Sequence, residues 1–237
     1  MKAAVLRAPQ NISNRPLQIE QVPQLSIRPG HVLLRVRACG VCRTDLHIVE
    51  GELPPRNASI IPGHQIVGEI VDGATAGLPA GTRVGVSWLG GVDGTCWYCR
   101  HDLENLCDSP TFTGYSVDGG YAEYAIARSD FLVPLPAALD DLQAAPLLCA
   151  GIIGFRSLRV AGVARGERVG LFGFGASAHL AIAVLQAWKC EVYVSTRGES
   201  HRLLAKSRGA TWVGKETDQP PVKLDRAITL PRAERLS

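Results

Sequence analysis

Short apolar runs, broken at close intervals by glycine and proline, fill the first half of the chain. Residues 2–6, 17–21, 31–38, 65–71, 83–86 and 121–126 are rich in Val, Ile, Leu and Tyr. Between them stand Arg28-Pro29-Gly30, Leu53-Pro54-Pro55, Ile61-Pro62-Gly63 and Asp118-Gly119-Gly120, groups that favour turns over continued strands. Many short strands joined in this way predict a barrel-like antiparallel domain.

Beyond about residue 150 the rhythm changes. Residues 167–172 read as a compact apolar strand ahead of a glycine turn. Leu180, Ala181, Val184, Leu185 and Trp188 then recur on one face at helical spacing. A strand at 191–195, a short helix at 201–208 before Gly209, and strands at 211–213 and 225–230 follow. Alternating strand and helix predicts a parallel, doubly wound sheet. The pattern therefore predicts two domains, 1–150 and 151–237. A full dinucleotide-binding sheet takes two βαβαβ halves, and only about four strands are available here. The second domain is expected to be incomplete, because residues 231–237 are polar and offer no further strand or helix.

Charge excludes several functions. Lys plus Arg number 25 against 22 Asp plus Glu, a net +3 that is too small and too evenly spread for a nucleic-acid or polybasic membrane surface. No apolar run reaches the roughly 18 residues of a membrane span, and the start, Met1-Lys2-Ala3-Ala4-Val5-Leu6-Arg7, lacks a secretory signal. With 46% apolar residues the chain can bury a core, and the expectation is a soluble, cytoplasmic protein. Its 7 cysteines, unevenly placed, then suit metal binding or chemistry better than disulfides.

Three constellations carry that chemistry. Cys42, His64 and Cys149 could give a catalytic zinc its three protein ligands, leaving a fourth position open. Spacing alone leaves a second reading, in which Cys149 is a buried apolar cysteine and His64 a satisfied turn histidine. The run Asp93-Gly94-Thr95-Cys96-Trp97-Tyr98-Cys99, followed by Cys107, fits a thiolate metal lobe in a loop. A closed zinc site takes four ligands, and a carboxylate can serve, so Cys3Asp with Asp93 is chemically sound; the alternative is an empty lobe held by packing of Trp97 and Tyr98. Gly173-Phe174-Gly175-Ala176-Ser177-Ala178 is a G-x-G-x-x-A turn between strand and helix. Gly173 allows the turn, Gly175 lets a pyrophosphate approach, and Ala178 keeps helix and strand close. Where an acid would select the ribose diol of NAD stands Val194-Ser195-Thr196-Arg197. Hydroxyls beside Arg197 suit a 2′-phosphate, which favours NADP over NAD; otherwise Arg197 is a solvated loop cation.

In this order the motifs resemble the zinc-dependent alcohol dehydrogenases of the medium-chain dehydrogenase/reductase superfamily, from Met1 to about Thr229. The resemblance implies a GroES-like β-barrel catalytic domain, an incomplete Rossmann coenzyme domain, and an active site in the cleft between them. By position, Cys42, His64 and Cys149 match the catalytic zinc ligands. Thr44 and His47 match the hydroxyl and imidazole of a proton relay, and Asp45 a partner of the ligand histidine. Cys96, Cys99 and Cys107 match three structural-zinc cysteines, with Asp93 in the place of the fourth, and Thr196 stands where the NAD-selecting acid would be. Gln65 departs from the glutamate of many relatives and removes a negative charge near the metal. Trp88 either lines the substrate pocket or belongs to the core. The implied function is reversible hydride transfer between a small alcohol or aldehyde and NAD(P), with a catalytic Zn2+ and a second, structural one. The alternatives are a zinc-binding homologue without activity and a polyol or amino-alcohol dehydrogenase. A homo-oligomer is compatible with either. Chains of the family continue further, so C-terminal truncation is expected.

Overall fold

A computed structural model describes residues 1–75 and 77–230; the polar tail 231–237 lies outside the described residues. The chain divides between Cys149 and Ala150 into two units. In the first, strands β1 (Lys2–Leu6) and β2 (Leu17–Gln21) pair as an antiparallel ribbon. A 5-stranded antiparallel sheet follows, built from β3 (His31–Gly40), β4 (Gln65–Asp72), β5 (Arg83–Val86), β8 (Tyr124–Arg128) and β9 (Val133–Pro134) in the order β8-β3-β4-β5-β9. Between them β6 (Leu89–Gly91) and β7 (Thr111–Phe112) form a second ribbon. Alternation in β3 to β5 turns Val32, Leu34, Ile66, Ile70, Val84 and Val86 into one core with Ala125 and Ala127. Two register shifts between β3 and β4, at Leu33/Leu34 and Val36/Ala38, mark bulges.

The expected strand at 121–126 begins instead at Tyr124. The residues before it brace another loop: Gly119, Gly120 and Tyr121 donate their N–H groups to the carbonyls of Ile61, Gly63 and Pro62 at 2.7, 2.8 and 3.0 Å. Gly63 itself has φ +98°, and a Cβ there would meet Tyr121 at 2.6 Å and the Cys39 sulfur at 2.8 Å. Only glycine fits that turn. Among the described residues two α-helices complete the unit, α1 (Arg43–Val49) and α2 (Asp141–Ala144).

The second unit contains α3 (Ala150–Val160), β10 (Arg168–Phe172), α4 (Ala176–Ala187), β11 (Glu191–Ser195), α5 (Glu199–Ser207), β12 (Trp212–Gly214) and β13 (Arg226–Thr229). All pairings are parallel and the order is β12-β11-β10-β13, the arrangement that alternating strands and helices produce. Val169, Leu171, Val192 and Val194 of the inner strands close on Leu158, Ala178, Ala181, Ile182 and Leu185 of α3 and α4. Each large side chain so buried contributes roughly 2 kcal/mol. α3 and α4 cross closely because residue 154 is glycine; a Cβ there would lie 2.6 Å from the Ser177 carbonyl oxygen. Among the described residues no helix is long and apolar enough to cross a membrane.

Candidate active site

Antiparallel register does the first part of the assembly. Gly40, the last residue of β3, pairs with Gln65, the first of β4. Cys42, just past one strand, and His64, just before the other, are therefore neighbours, and Cys42 Sγ lies 3.4 Å from His64 Nε2. Cys149 arrives from elsewhere. Ala144, Ala145 and Leu148 pack on Val67 of β4, which brings the Cys149 sulfur to 4.0 Å from that of Cys42. The three donor atoms all lie within 4.8 Å of one another. A tetrahedral zinc with bonds of about 2.3 Å to sulfur and 2.0 Å to nitrogen spaces its donors at roughly 3.5–3.8 Å. Two sulfurs and one imidazole at these separations fit such an ion.

Asp45 fixes the geometry. Cys42 caps α1; its sulfur accepts the Thr44 N–H at 3.3 Å, and its own N–H donates to Asp45 Oδ2 at 2.8 Å. The other carboxylate oxygen meets His64 Nδ1 at 3.0 Å, which turns Nε2 toward Cys42. His64 and Asp45 are 0% and 2% exposed, so the pair is held in a dry, low-dielectric setting. Burial opposes a charge on His64, but the bonds to Asp45 and Cys42 outweigh it and raise the imidazole to about 9. The Cys42 thiol falls to about 4, held down first by the Cys149 thiol, against burial, and then by His64. Burial instead pushes Cys39, three positions earlier, up to about 12. The cluster gathers negative charge on sulfur at Cys42, where a cation would sit.

Around the triad, Trp88 meets the His64 ring edge-on at 5.2 Å and stacks on Phe112 at 4.8 Å and Tyr115 at 5.8 Å. It is half-buried and packs on the cluster of Leu6, Ile48, Val49 and Ile60. The amide of Gln65 is buried, and its Nε2 has no hydrogen-bond partner among the described residues. His47 Nδ1 lies 2.5 Å from Glu52 Oε2, a partner that nothing in the sequence pattern marks.

The second cluster sits on the loop between β6 and β7. Asp93 Oδ1 accepts the N–H groups of Thr95 at 2.7 Å and Cys96 at 2.8 Å, a turn that explains the low pKa of its carboxyl. That leaves Oδ2 aimed at the Cys107 sulfur, 3.2 Å away. Cys96 and Cys99 sulfurs are 3.5 Å apart, and all four donors lie within 4.8 Å of one another. The donor set again fits a tetrahedral zinc. Trp97 stacks on His101 at 4.1 Å and braces the loop from outside.

The glycine turn has the form its sequence implies. Gly173 takes φ +94° and donates its N–H to the Ser195 carbonyl at 2.8 Å. Gly175 caps α4 without any side-chain hydrogen bond, and a Cβ added there would meet nothing within 4 Å. The open space and the unpaired N–H groups of the helix start fit a pyrophosphate. Ala178 is 0% exposed and packs in the core. At the end of β11, Thr196 is buried, while the Ser195 hydroxyl is turned away and donates to the Lys215 carbonyl at 2.8 Å. Arg197 pairs with Glu216, Nε to Oε2 at 3.0 Å.

An antiparallel unit holding a two-sulfur, one-imidazole cluster, followed by a parallel sheet with a coenzyme-type glycine turn, defines a zinc-type medium-chain dehydrogenase/reductase. Residues 28–137 match the alcohol dehydrogenase GroES-like domain. The chain is 45% identical over 237 residues to the probable alcohol dehydrogenase AdhA of Mycobacterium tuberculosis (strain CDC 1551 / Oshkosh), covering 96% of this chain and 68% of that one. In structure it is similar to CAD from Helicobacter pylori complexed with NADP(H), with a TM-score of 0.83 and 25% identity over 97% of this chain and 69% of that one. It is also similar to the cobalt- and zinc-bound thermostable alcohol dehydrogenase of Pyrobaculum aerophilum, with a TM-score of 0.80 and 26% identity over 91% and 65%. The chain belongs to the alcohol dehydrogenase family of that superfamily. It spans 55% to 68% of the length of curated relatives that it matches.

Proposed function

We propose that the protein is a zinc-dependent alcohol dehydrogenase that moves a hydride reversibly between a small alcohol or aldehyde and a nicotinamide coenzyme. The observation that carries this reading is the convergence of Cys42, His64 and Cys149 on one point. Residues 1–150 are the catalytic domain and 151–237 the NAD(P)-binding domain. Zinc bound at the triad supplies a Lewis acid for the substrate oxygen, and the nicotinamide supplies the hydride acceptor or donor. The chain's own groups manage the proton. Thr44, whose N–H donates to the Cys42 sulfur, would accept the substrate proton on its hydroxyl as it gives up its own to the coenzyme ribose hydroxyls, and His47 would pass a proton from them to solvent. With Nδ1 engaged by Glu52, the Nε2 of His47 is left for the exchange. Asp93, Cys96, Cys99 and Cys107 hold the second, structural zinc.

Gly173, Gly175 and Ala178 seat the pyrophosphate, and Thr196 and Arg197 face the adenosine ribose. Arg197 and the lack of an acid at position 196 support NADP over NAD. Seven free cysteines support a reducing, cytoplasmic setting.

Metal analysis of the purified protein, with coenzyme absorbance followed on aliphatic and aromatic aldehydes, tests the reading. Two zinc equivalents are expected, falling to about one in Cys42→Ser with loss of turnover by more than 100-fold. The Asp93→Asn variant keeps the turn but weakens the second ion. Zinc in the native protein with no turnover on any alcohol or aldehyde supports the alternative of metal binding without catalysis. A native protein that takes up no zinc defeats both.

A further inference from the structure

Two strands end side by side where the adenosine ribose is read in sheets of this kind. Ser195 of β11 pairs with Gly214 of β12, and the N–H of Thr196 donates to the Gly214 carbonyl at 3.1 Å. Beyond β12 the chain turns at once: Lys215 N–H donates to Asp218 Oδ2 at 2.7 Å, and Asp218 N–H returns to the Lys215 carbonyl at 3.0 Å. That turn presents Glu216 to Arg197, and the two side chains meet at 3.0 Å while 57% and 62% exposed. From α5, Arg202 Nη1 donates to the carbonyls of Thr196 and Arg197 at 3.1 and 2.6 Å, which fixes the backbone under the arginine. The cation is thus held at the ribose end of β11 with a carboxylate from the turn after the neighbouring strand already on it.

A carboxylate at this place accepts from the ribose diol and repels a 2′-phosphate, whereas an arginine attracts the phosphate. Here one of each is present, and the two are paired. We propose that Glu216 is a specificity-determining residue for the coenzyme: it competes with the 2′-phosphate for Arg197 and holds down the preference for NADPH that Arg197 alone would give. The inference rests on the proposed coenzyme reading and adds the residue that limits it. An exposed pair in water interacts weakly, so the competition shifts the balance between coenzymes without excluding either.

Binding of NADH and NADPH to the full chain, measured by nicotinamide fluorescence without substrate, tests this. The native protein binds both, and Glu216→Gln moves the NADPH/NADH affinity ratio about fivefold toward NADPH. In an Arg197→Ala background the same substitution leaves the ratio unchanged, because the competition needs the guanidinium. A ratio unmoved by Glu216→Gln in a protein that binds both coenzymes overturns the role of Glu216 and leaves the coenzyme reading intact. A shift of equal size in both backgrounds overturns it too, since plain charge repulsion then suffices. Failure of the native chain to bind either coenzyme overturns the inference together with the reading on which it rests.

Discussion

Asp45 gives one carboxylate oxygen to the Cys42 N–H and the other to the His64 ring, so one buried side chain both starts α1 and sets the direction of a metal donor. Replacement by alanine removes both. Asp45→Ala is expected to cost about 1 kcal/mol as a lost helix cap and to weaken zinc binding roughly 10- to 100-fold through the freed imidazole. Chelator competition reads the second effect and thermal melting the first. A melt that drops while zinc affinity holds would reduce Asp45 to a cap. At this scale the sequence offered donors but no distances. His64 and Cys149 stand 22 and 107 positions from Cys42, too far for spacing to join them, and the resemblance supplied what spacing lacked. Glu52 and Glu216 are not legible in the sequence because a glutamate in a polar turn has no feature that marks its partner. Only the fold brings His47 to one and Arg197 to the other.

Elements were legible where a periodic apolar pattern met one core. The strands 2–6, 17–21, 83–86 and 191–195 stand where the alternation put them. α3 is not legible in the sequence because Ile152, Ile153 and Phe155 remain exposed and Gly151 and Gly154 interrupt the run, so no single apolar stripe announces a helix. α1 is not legible because its cap is a cysteine rather than Ser, Thr, Asp or Asn. α2, which leads the chain to Cys149, is tied down by charge. Arg37 Nε and Arg83 Nε donate to the two carboxylate oxygens of Asp141 at 2.8 and 2.6 Å and anchor the helix to β3 and β5. The bonds from Arg37 and then Arg83 hold the Asp141 carboxyl below its ordinary value. A depressed carboxyl stabilises the fold above its unfolded pKa, near 3.9, and that contribution disappears as pH falls through the lower folded value. Arg37 is half-exposed, so solvent screening keeps the effect small. Asp141→Asn should therefore cost roughly 1 kcal/mol at pH 7 in urea unfolding. The gap from the native protein should close below about pH 4. A gap that persists in acid would assign the loss to packing instead.

At the scale of the whole molecule, the candidate ligands and the glycine turn divide cleanly between the two units. All seven candidate metal ligands belong to the unit ending at Cys149, while Gly173, Gly175, Ala178, Thr196 and Arg197 belong to the one beginning at Ala150. A ligand that binds only the folded state adds stability where its partners are, about 2.7 kcal/mol at a hundredfold excess over Kd. Hydrogen exchange by peptide can therefore separate the two contributions. Stripping metal with a chelator should speed exchange in residues 39–66 and 92–107, where the donors are otherwise held only by hydrogen bonds such as Cys42 to His64 and Cys107 to Asp93. Adding NADPH should slow exchange around 173–178 and 195–197 instead, because the free N–H groups at the start of α4 gain an acceptor. Protection that appears under both treatments at the same peptides would mean that metal and coenzyme act on one cooperative unit, and the assignment of each ligand to its own half of the chain would fall.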